Sequence, residues 1–346
     1  MTGADRQLFV GAYGNCGLYW LALRGDGSLA AQGSSNVAAN ASFGAYSTRH
    51  RLLYLVDESE EGALGAYRWT GDMWMQVGRV PSHGSLPCFV SLDPGGSGVA
   101  VANYGDGSCA YIGLDPATGL PSADAKVRSN HGGGPIEDRQ EGPHAHCAVF
   151  SPDARWLYQT DLGTDQIRAF RLDPADGAPG EAMIAWRAPP GAGPRHLAFH
   201  PREPIAVLVS ELASAVTLFE VDDGKLAAMQ TLSTLPPGYV GDSLGGHLAF
   251  TAAGDRLYVT NRGHDTIAVF ALDNGRLRLL DHIPAGGASP RFFLLIEERA
   301  RMLVANEEGN SITAFDLGQD GALSQCGETR IPKPAFIVSA PDQREN

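Results

Sequence analysis

The sequence predicts an all-β protein, a seven-bladed β-propeller of four-stranded antiparallel blades whose ring closes by pairing the N- and C-terminal strands in one blade. Three observations carry this. Apolar segments are four to six residues long, rich in Val, Tyr, Phe, Leu and Thr, and bounded by Gly, Asp and Asn, which is strand and turn chemistry. The segments recur as a larger unit near 50 residues, the period of a propeller blade. The first and last segments each lack a partner that the other supplies. No stretch sustains a 3.6-residue apolar stripe with caps, so long helices are not expected.

The clearest copy of the unit starts at His247. A first strand, His247 to Thr251, turns at Ala253-Gly254-Asp255 into a second, Leu257 to Asn261. A turn at Arg262 to Asp265 leads to a third at Thr266 to Phe270 and a fourth near Arg276 to His282. The same order begins at Phe43, Phe89, His146, Arg195 and Arg291. The second strands close on Asp57, Asn103, Asp161, Ser210, Asn261 and Asn306, at intervals of 46, 58, 49, 51 and 45 residues. The seventh blade is split. Leu8 to Tyr13 matches a second strand and Gly17 to Leu23 a third, while Pro334 to Ala340 is the missing first strand. Such closure removes two exposed sheet edges. One seven-bladed domain over residues 1–346 is expected, although the length alone would suggest two. The strand-rich tryptophans Trp69, Trp74, Trp156 and Trp186 fit packing between blades.

Composition narrows the function. With 43% hydrophobic residues the chain has the side chains for a large core, which argues against disorder. No run approaches 18 apolar residues, so a membrane-spanning helix is not expected. The N-terminal residues lack a basic region followed by an apolar stretch. Five cysteines, an odd number without CxxC or Cys/His metal spacing, suit a cytoplasmic protein with reduced thiols. A net charge of −13 disfavours nucleic acid and anionic membranes as partners. It leaves room for a local basic pocket and a small anionic substrate. No glycine-rich loop opens a helix, so no nucleotide cofactor is expected. A monomer or small homo-oligomer is expected.

In a blade the first strand lies nearest the axis and the second runs antiparallel to it. The starts of first strands and the ends of second strands therefore meet at one mouth of the channel. The starts carry His146, Arg195, His247 and Arg291. The residues after the second-strand ends are Glu58, Tyr104, Leu162, Glu211, Arg262 and Glu307. Hairpin spacing makes neighbours of Arg195 and Glu211, His247 and Arg262, and Arg291 and Glu307. So many ionisable groups in one band, in a chain only 19% charged, exceed what strand packing requires. The Asn and Asp residues that close second strands, and Gly163-Thr164-Asp165 with Gly263-His264-Asp265, fit turn chemistry instead. The long connection Gly132 to His146 ends in His144-Ala145-His146, and loops of this length are often functional. These histidines suit acid/base work or substrate contact; a metal or an uncharged structural role are the alternatives, and no third ligand has a matching signature. Cys147 follows His146, but strand alternation turns it to the opposite side.

At these residues the chain resembles a known family. Arg139-Gln140-Glu141-Gly142-Pro143-His144-Ala145-His146, Ser151-Pro152-Asp153, Asp161 to Ile167, Gly193 to Pro201, Ser210 to Ser214 and Thr260 to Gly263 resemble motifs of the lactonase family of seven-bladed propellers. That family includes bacterial propeller-type 6-phosphogluconolactonases and fungal carboxy-muconate lactonizing enzymes. The resemblance covers nearly the whole chain and implies a metal-independent site of His146, Arg195, Glu211 and Arg262. Where family members commonly carry an acidic residue, this chain has Gly246-His247.

The activity so implied is hydrolysis of a sugar-acid lactone, for instance 6-phosphogluconolactone, by general acid/base catalysis at the mouth. His146 is expected as base toward water, Glu211 as its polar partner, and Arg195 and Arg262 as electrostatic clamps. Arg139, His144, His247, Arg291 and Glu307 are expected to bind substrate, with Arg139, His144, His247 and Arg291 as candidates for holding a distal phosphate. The alternatives are a cycloisomerase acting on a muconate-like dicarboxylate with the same groups, and a non-catalytic binding propeller.

Overall fold

The computed structural model describes residues 5–339. They form seven four-stranded antiparallel sheets, and within each the strands follow one another in order. Numbering from the split sheet, the first strands of blades 2 to 7 are Gly44–Ser47, Pro87–Leu92, Ala145–Phe150, Pro194–Phe199, Leu244–Phe250 and Pro290–Ile296. The second strands of blades 2 to 5 end on Asp57, Asn103, Asp161 and Ser210, that of blade 6 runs one residue past Asn261, and that of blade 7 ends on Asn306. The helical content among the described residues is one 3-10 turn, Glu297–Arg299.

Blade 1 closes the ring as expected. Pro334–Ser339 pairs antiparallel with Arg6–Ala12, Leu8 opposite Ser339 and Val10 opposite Ile337. Ala340, expected to end this strand, lies outside the described residues. Gly11 makes the closure possible: a Cβ there would sit 2.0 Å from the Phe336 ring and 2.1 Å from the Ala41 carbonyl oxygen.

The apolar core lies between blades. One cluster joins Leu52, Tyr54 and Val56 of blade 2 to Val90, Val99 and Ile112 of blade 3. Another joins Trp156, Tyr158 and Ile167 to Leu197, Leu208 and Phe219. Each sheet therefore buries both faces against its neighbours, which is why the inner strands read as nearly continuous apolar runs. The residues that close second strands staple the turns. Asp161 accepts bonds from the His144 and Thr164 amides, and Asn261 donates to the Thr234 carbonyl. Asp165 accepts from the Gly191 and Gly193 amides.

The inner strands share a device that alternation does not predict. In blades 3, 4, 5 and 7 the pairing with the second strand slips by one residue near its start, at Cys88, His146, Arg195 and Arg291. In blade 6 the slip spans Gly246 and His247, and in blade 1 it falls at Ala335. Such a bulge leaves one residue unpaired and re-aims its side chain. Here it brings one residue from each of these six blades to the mouth of the channel; in blade 2, Gly44–Ser47 pairs with its second strand without a slip.

Candidate active site

The bulged positions and the second-strand ends bring together Glu211, three arginines and His146. Glu211 follows Ile205–Ser210, and its amide donates to the Gly193 carbonyl, which fixes its backbone. Its carboxylate is 3% exposed. Oε2 accepts from Arg195 Nε at 2.9 Å and from Arg262 Nη2 at 2.6 Å, and Oε1 accepts from Arg139 Nη2 at 2.5 Å. His146 Nε2 lies 3.6 Å from Oε2. Four side chains from three blades and one loop thus converge on one carboxylate.

Arg139 reaches Glu211 from the long connection before blade 4. Gln140, buried, ties that connection down: its amide group donates to the Leu162 carbonyl while its side-chain oxygen accepts from the Ile136 amide. Sequence reasoning missed Gln140. Its signal was the one uncharged side chain in the charged run Glu137 to Glu141.

Electrostatics set the protonation states. Burial alone would raise the Glu211 carboxyl, but Arg262 and Arg195 outweigh it and hold the group well below the usual carboxylate range. Burial, then the charge of Arg195, pushes His146 well below an ordinary imidazole, with Glu211 opposing. Burial and the neighbouring Arg262 lower Arg195 to about 9, still protonated at neutral pH. The resting cluster is therefore three guanidinium ions, one carboxylate and one neutral imidazole.

The three arginines differ in access. Arg195 is 2% exposed, and its Nη1 also donates to the Gly246 carbonyl at 2.8 Å. Gly246 permits this approach, since a Cβ there would meet Thr260 Oγ1 at 2.3 Å. Arg262 is 12% and Arg139 34% exposed, so these two present the positive charge to the mouth.

The other expected residues are more scattered. Arg291 pairs with Glu307 at 3.3 Å, as hairpin spacing implies, and its guanidinium stands over the Tyr13 ring. Tyr13 donates to Glu58 at 2.9 Å. His144 stacks on Tyr104 and its Nδ1 is 2.8 Å from the Tyr104 carbonyl; its other nitrogen faces Glu141. Cys147 is wholly buried in the core between blades 3 and 4. Cys88, which the sequence did not single out, lies with Sγ 3.8 Å from His146 Nδ1, and burial raises its thiol well above the ordinary range. Among the described residues, no group of three or more His, Cys, Asp or Glu side chains could hold a metal ion.

His247 does not pair with Arg262. The register slips by one residue in blade 6 as in its neighbours, and it is Gly246, not His247, that stands at the level of the charged band; His247 lies one layer deeper, where it stacks on Phe292 with centroids 4.2 Å apart. That layer is an aromatic plug across the channel. Phe43 stacks on Phe89 and also meets Phe292, Phe336 and His196. His196 and His247 face each other with Nδ1 atoms 3.0 Å apart. The plug was legible as a repeated triplet, Pro87-Cys88-Phe89, Pro194-Arg195-His196, Pro290-Arg291-Phe292 and Pro334-Ala335-Phe336, in which the bulged residue precedes an aromatic one. It gives the charged cup at the mouth an aromatic floor.

The seven-bladed ring has known counterparts. The family model described as lactonase, 7-bladed beta-propeller, matches residues 7–339. The chain belongs to this lactonase family. A 6-phosphogluconolactonase of Bacillus subtilis is 30% identical over 345 residues, covering 95% of this chain and 97% of the relative. The solved structure of a periplasmic gluconolactonase from Pseudomonas aeruginosa superposes with a TM-score of 0.89 at 28% identity, covering 97% of this chain and 99% of that one. A protein from Lactobacillus plantarum superposes with a TM-score of 0.90 at 27% identity, covering 97% and 100%. The lactonase-family match spans all seven blades, and the cup lies wholly within it.

Proposed function

We propose that the protein hydrolyses the lactone of a sugar acid in the charged cup. The observation that carries this is Glu211 clamped by Arg139, Arg195 and Arg262 with the neutral imidazole of His146 beside it. Family membership, and two relatives named for gluconolactone chemistry, support the same reaction class.

A lactone is a cyclic ester, so its hydrolysis needs an activated water and a site for the oxyanion. His146 Nε2 takes a proton from water as the oxygen attacks the lactone carbonyl carbon. Glu211, already ionised and held by three cations, is the poorer base; its charge instead favours the imidazolium as it forms. The developing oxyanion faces Arg262 and Arg139, the accessible guanidinium groups of the cluster. Arg195 holds Glu211 in place from beneath. When the tetrahedral intermediate collapses, the bond from the carbonyl carbon to the ring oxygen breaks. The imidazolium returns the proton to that oxygen as a free hydroxyl, and the new carboxylic acid gives up its remaining proton to solvent to become an open-chain carboxylate.

The test is a panel of sugar-acid lactones and simple aliphatic lactones, with initial rates corrected for spontaneous opening. Saturable hydrolysis of at least one sugar-acid lactone, lost in His146→Gln, is the expected result. Rates no higher than background across the panel would overturn the proposal.

A further inference from the structure

The charges lining the cup are divided between its two sides. On the side of blades 4, 5 and 6, Arg139, Arg195 and Arg262 surround Glu211, three positive charges against one negative. On the side of blades 1, 2 and 7 the proportions reverse. Arg291 stands alone between Tyr13, Glu58 and Glu307, one positive charge against two negative. The exposed acids at the rim do not alter this. Glu60, Glu61 and Glu308 on one side are matched by Glu137, Asp138 and Glu141 on the other, and water screens them all.

A substrate must lie across this division in one direction. If the lactone carbonyl meets His146, Arg262 and Arg139, the rest of the sugar extends toward Arg291, Glu58 and Glu307. A terminal phosphate would arrive there as a dianion beside two carboxylates whose one cation is already shared. The four residues considered for a phosphate subsite do not assemble into one. Arg139 stands at Glu211 on the reacting side, His144 stacks on Tyr104 beside Glu141, His247 lies in the plug, and Arg291 is paired with Glu307. Sugar hydroxyls suit this side better, since each can donate to a carboxylate and accept from a guanidinium.

We propose that the substrate is the lactone of an unphosphorylated sugar acid, and that Glu58 and Glu307 are specificity-determining residues, binding the distal hydroxyls and rejecting a phosphate. This rests on the lactonase reading of the same cup. Discrimination here comes from the repulsive element as much as from the attractive one.

The experiment measures kcat/KM for glucono-δ-lactone and for its 6-phosphate in the wild-type chain, in Glu58→Gln and in Glu307→Gln. The wild type should favour the uncharged lactone by about tenfold or more, a modest selectivity of the size that pocket contacts supply. Each variant removes one negative charge, keeps the shape, and should narrow the ratio by about threefold or more, because the like-charge penalty falls. The ratio is read within each protein, so a general loss of activity does not obscure it. Preference for the phosphorylated lactone, or a ratio unmoved in both variants, overturns this inference and leaves the lactonase reading standing. Hydrolysis of neither compound, nor of any other lactone in the panel, overturns both.

Discussion

His146 Nε2 lies 3.6 Å from Glu211 Oε2, and both side chains are almost wholly buried. A neutral imidazole facing an ionised carboxylate becomes more basic as soon as the negative charge that develops on the substrate offsets the positive charge of the arginines. Removing His146 should therefore affect chemistry more than folding. His146→Gln should lower turnover by about two to four powers of ten, the usual contribution of a positioned base. Since the side chain is buried, the thermal midpoint must be measured beside the rate. Turnover near that of the wild type in a folded variant would remove His146 from the mechanism.

Glu211→Gln should behave differently, because it strips the counter-ion from three arginines at once. Breaking a buried ion pair from one side typically costs about 3–5 kcal/mol, through the charge left behind. Chemical denaturation should show a loss of at least roughly that lower figure. A variant with wild-type stability would mean that water or a bound anion compensates the arginines in place of the carboxylate.

Ring closure gives a third expectation. Pro334–Ser339 is the innermost strand of blade 1, and its Phe336 also belongs to the plug. A chain ending at Pro332 would expose the edge of Arg6–Ala12 and leave a gap at the axis. It should lose cooperative unfolding and aggregate on concentration. A truncated chain that melts like the full one would contradict this.

Much of this site could be read from residues alone, and the exceptions arise from a bulge, from the path of a loop and from ring closure. Arg195 and Glu211, and Arg291 and Glu307, are hairpin partners, so strand spacing placed them together. His247 and Arg262 are 15 residues apart rather than 16, so Gly246 takes the level of Arg195 and Arg291 and His247 falls into the plug. A bulge changes which way a side chain points without changing composition, so periodicity alone does not show which of two adjacent residues reaches the mouth. Arg139 meets Glu211 across 72 residues of sequence, through a loop whose path is set by the buried Gln140. Tyr13 meets Glu58 and Arg291 only because the ring closes. The fold, by contrast, repeats seven times, and each copy reinforces the pattern of the others.

Chelation separates the two roles considered for the histidines. His144 Nδ1 is engaged with the Tyr104 carbonyl, while His146 Nε2 faces Glu211. Lactone hydrolysis should persist after exhaustive treatment with a chelator and dialysis. Loss of activity, restored by one added divalent ion, would assign these side chains to a metal instead.

The histidines of the channel make stability depend on pH in a way that carboxylates do not. Burial and the charge of Arg195 hold His146 and His196 well below the ordinary value of 6.5, and His247 at about 3. In the unfolded chain each would titrate near 6.5. As pH falls below that value the unfolded state takes up protons that the native state refuses, so stability drops with falling pH. The stability is fully present above about pH 6.5 and is lost progressively toward the depressed native values. Glu211 adds a second loss only at lower pH, as the unfolded carboxyl begins to protonate near 4.5 while the native one stays ionised. Between pH 6.5 and 5 the buried histidines therefore dominate this part of the response. His247→Phe tests the assignment, because phenylalanine can keep the stacking on Phe292 while removing the titrating ring. Urea denaturation at pH 7 and pH 5 should show the variant losing less stability than the wild type, by up to roughly 2 kcal/mol. Equal losses in the two proteins would mean that His247 takes up its proton as readily in the folded chain as in the unfolded one, and that the plug is open to water.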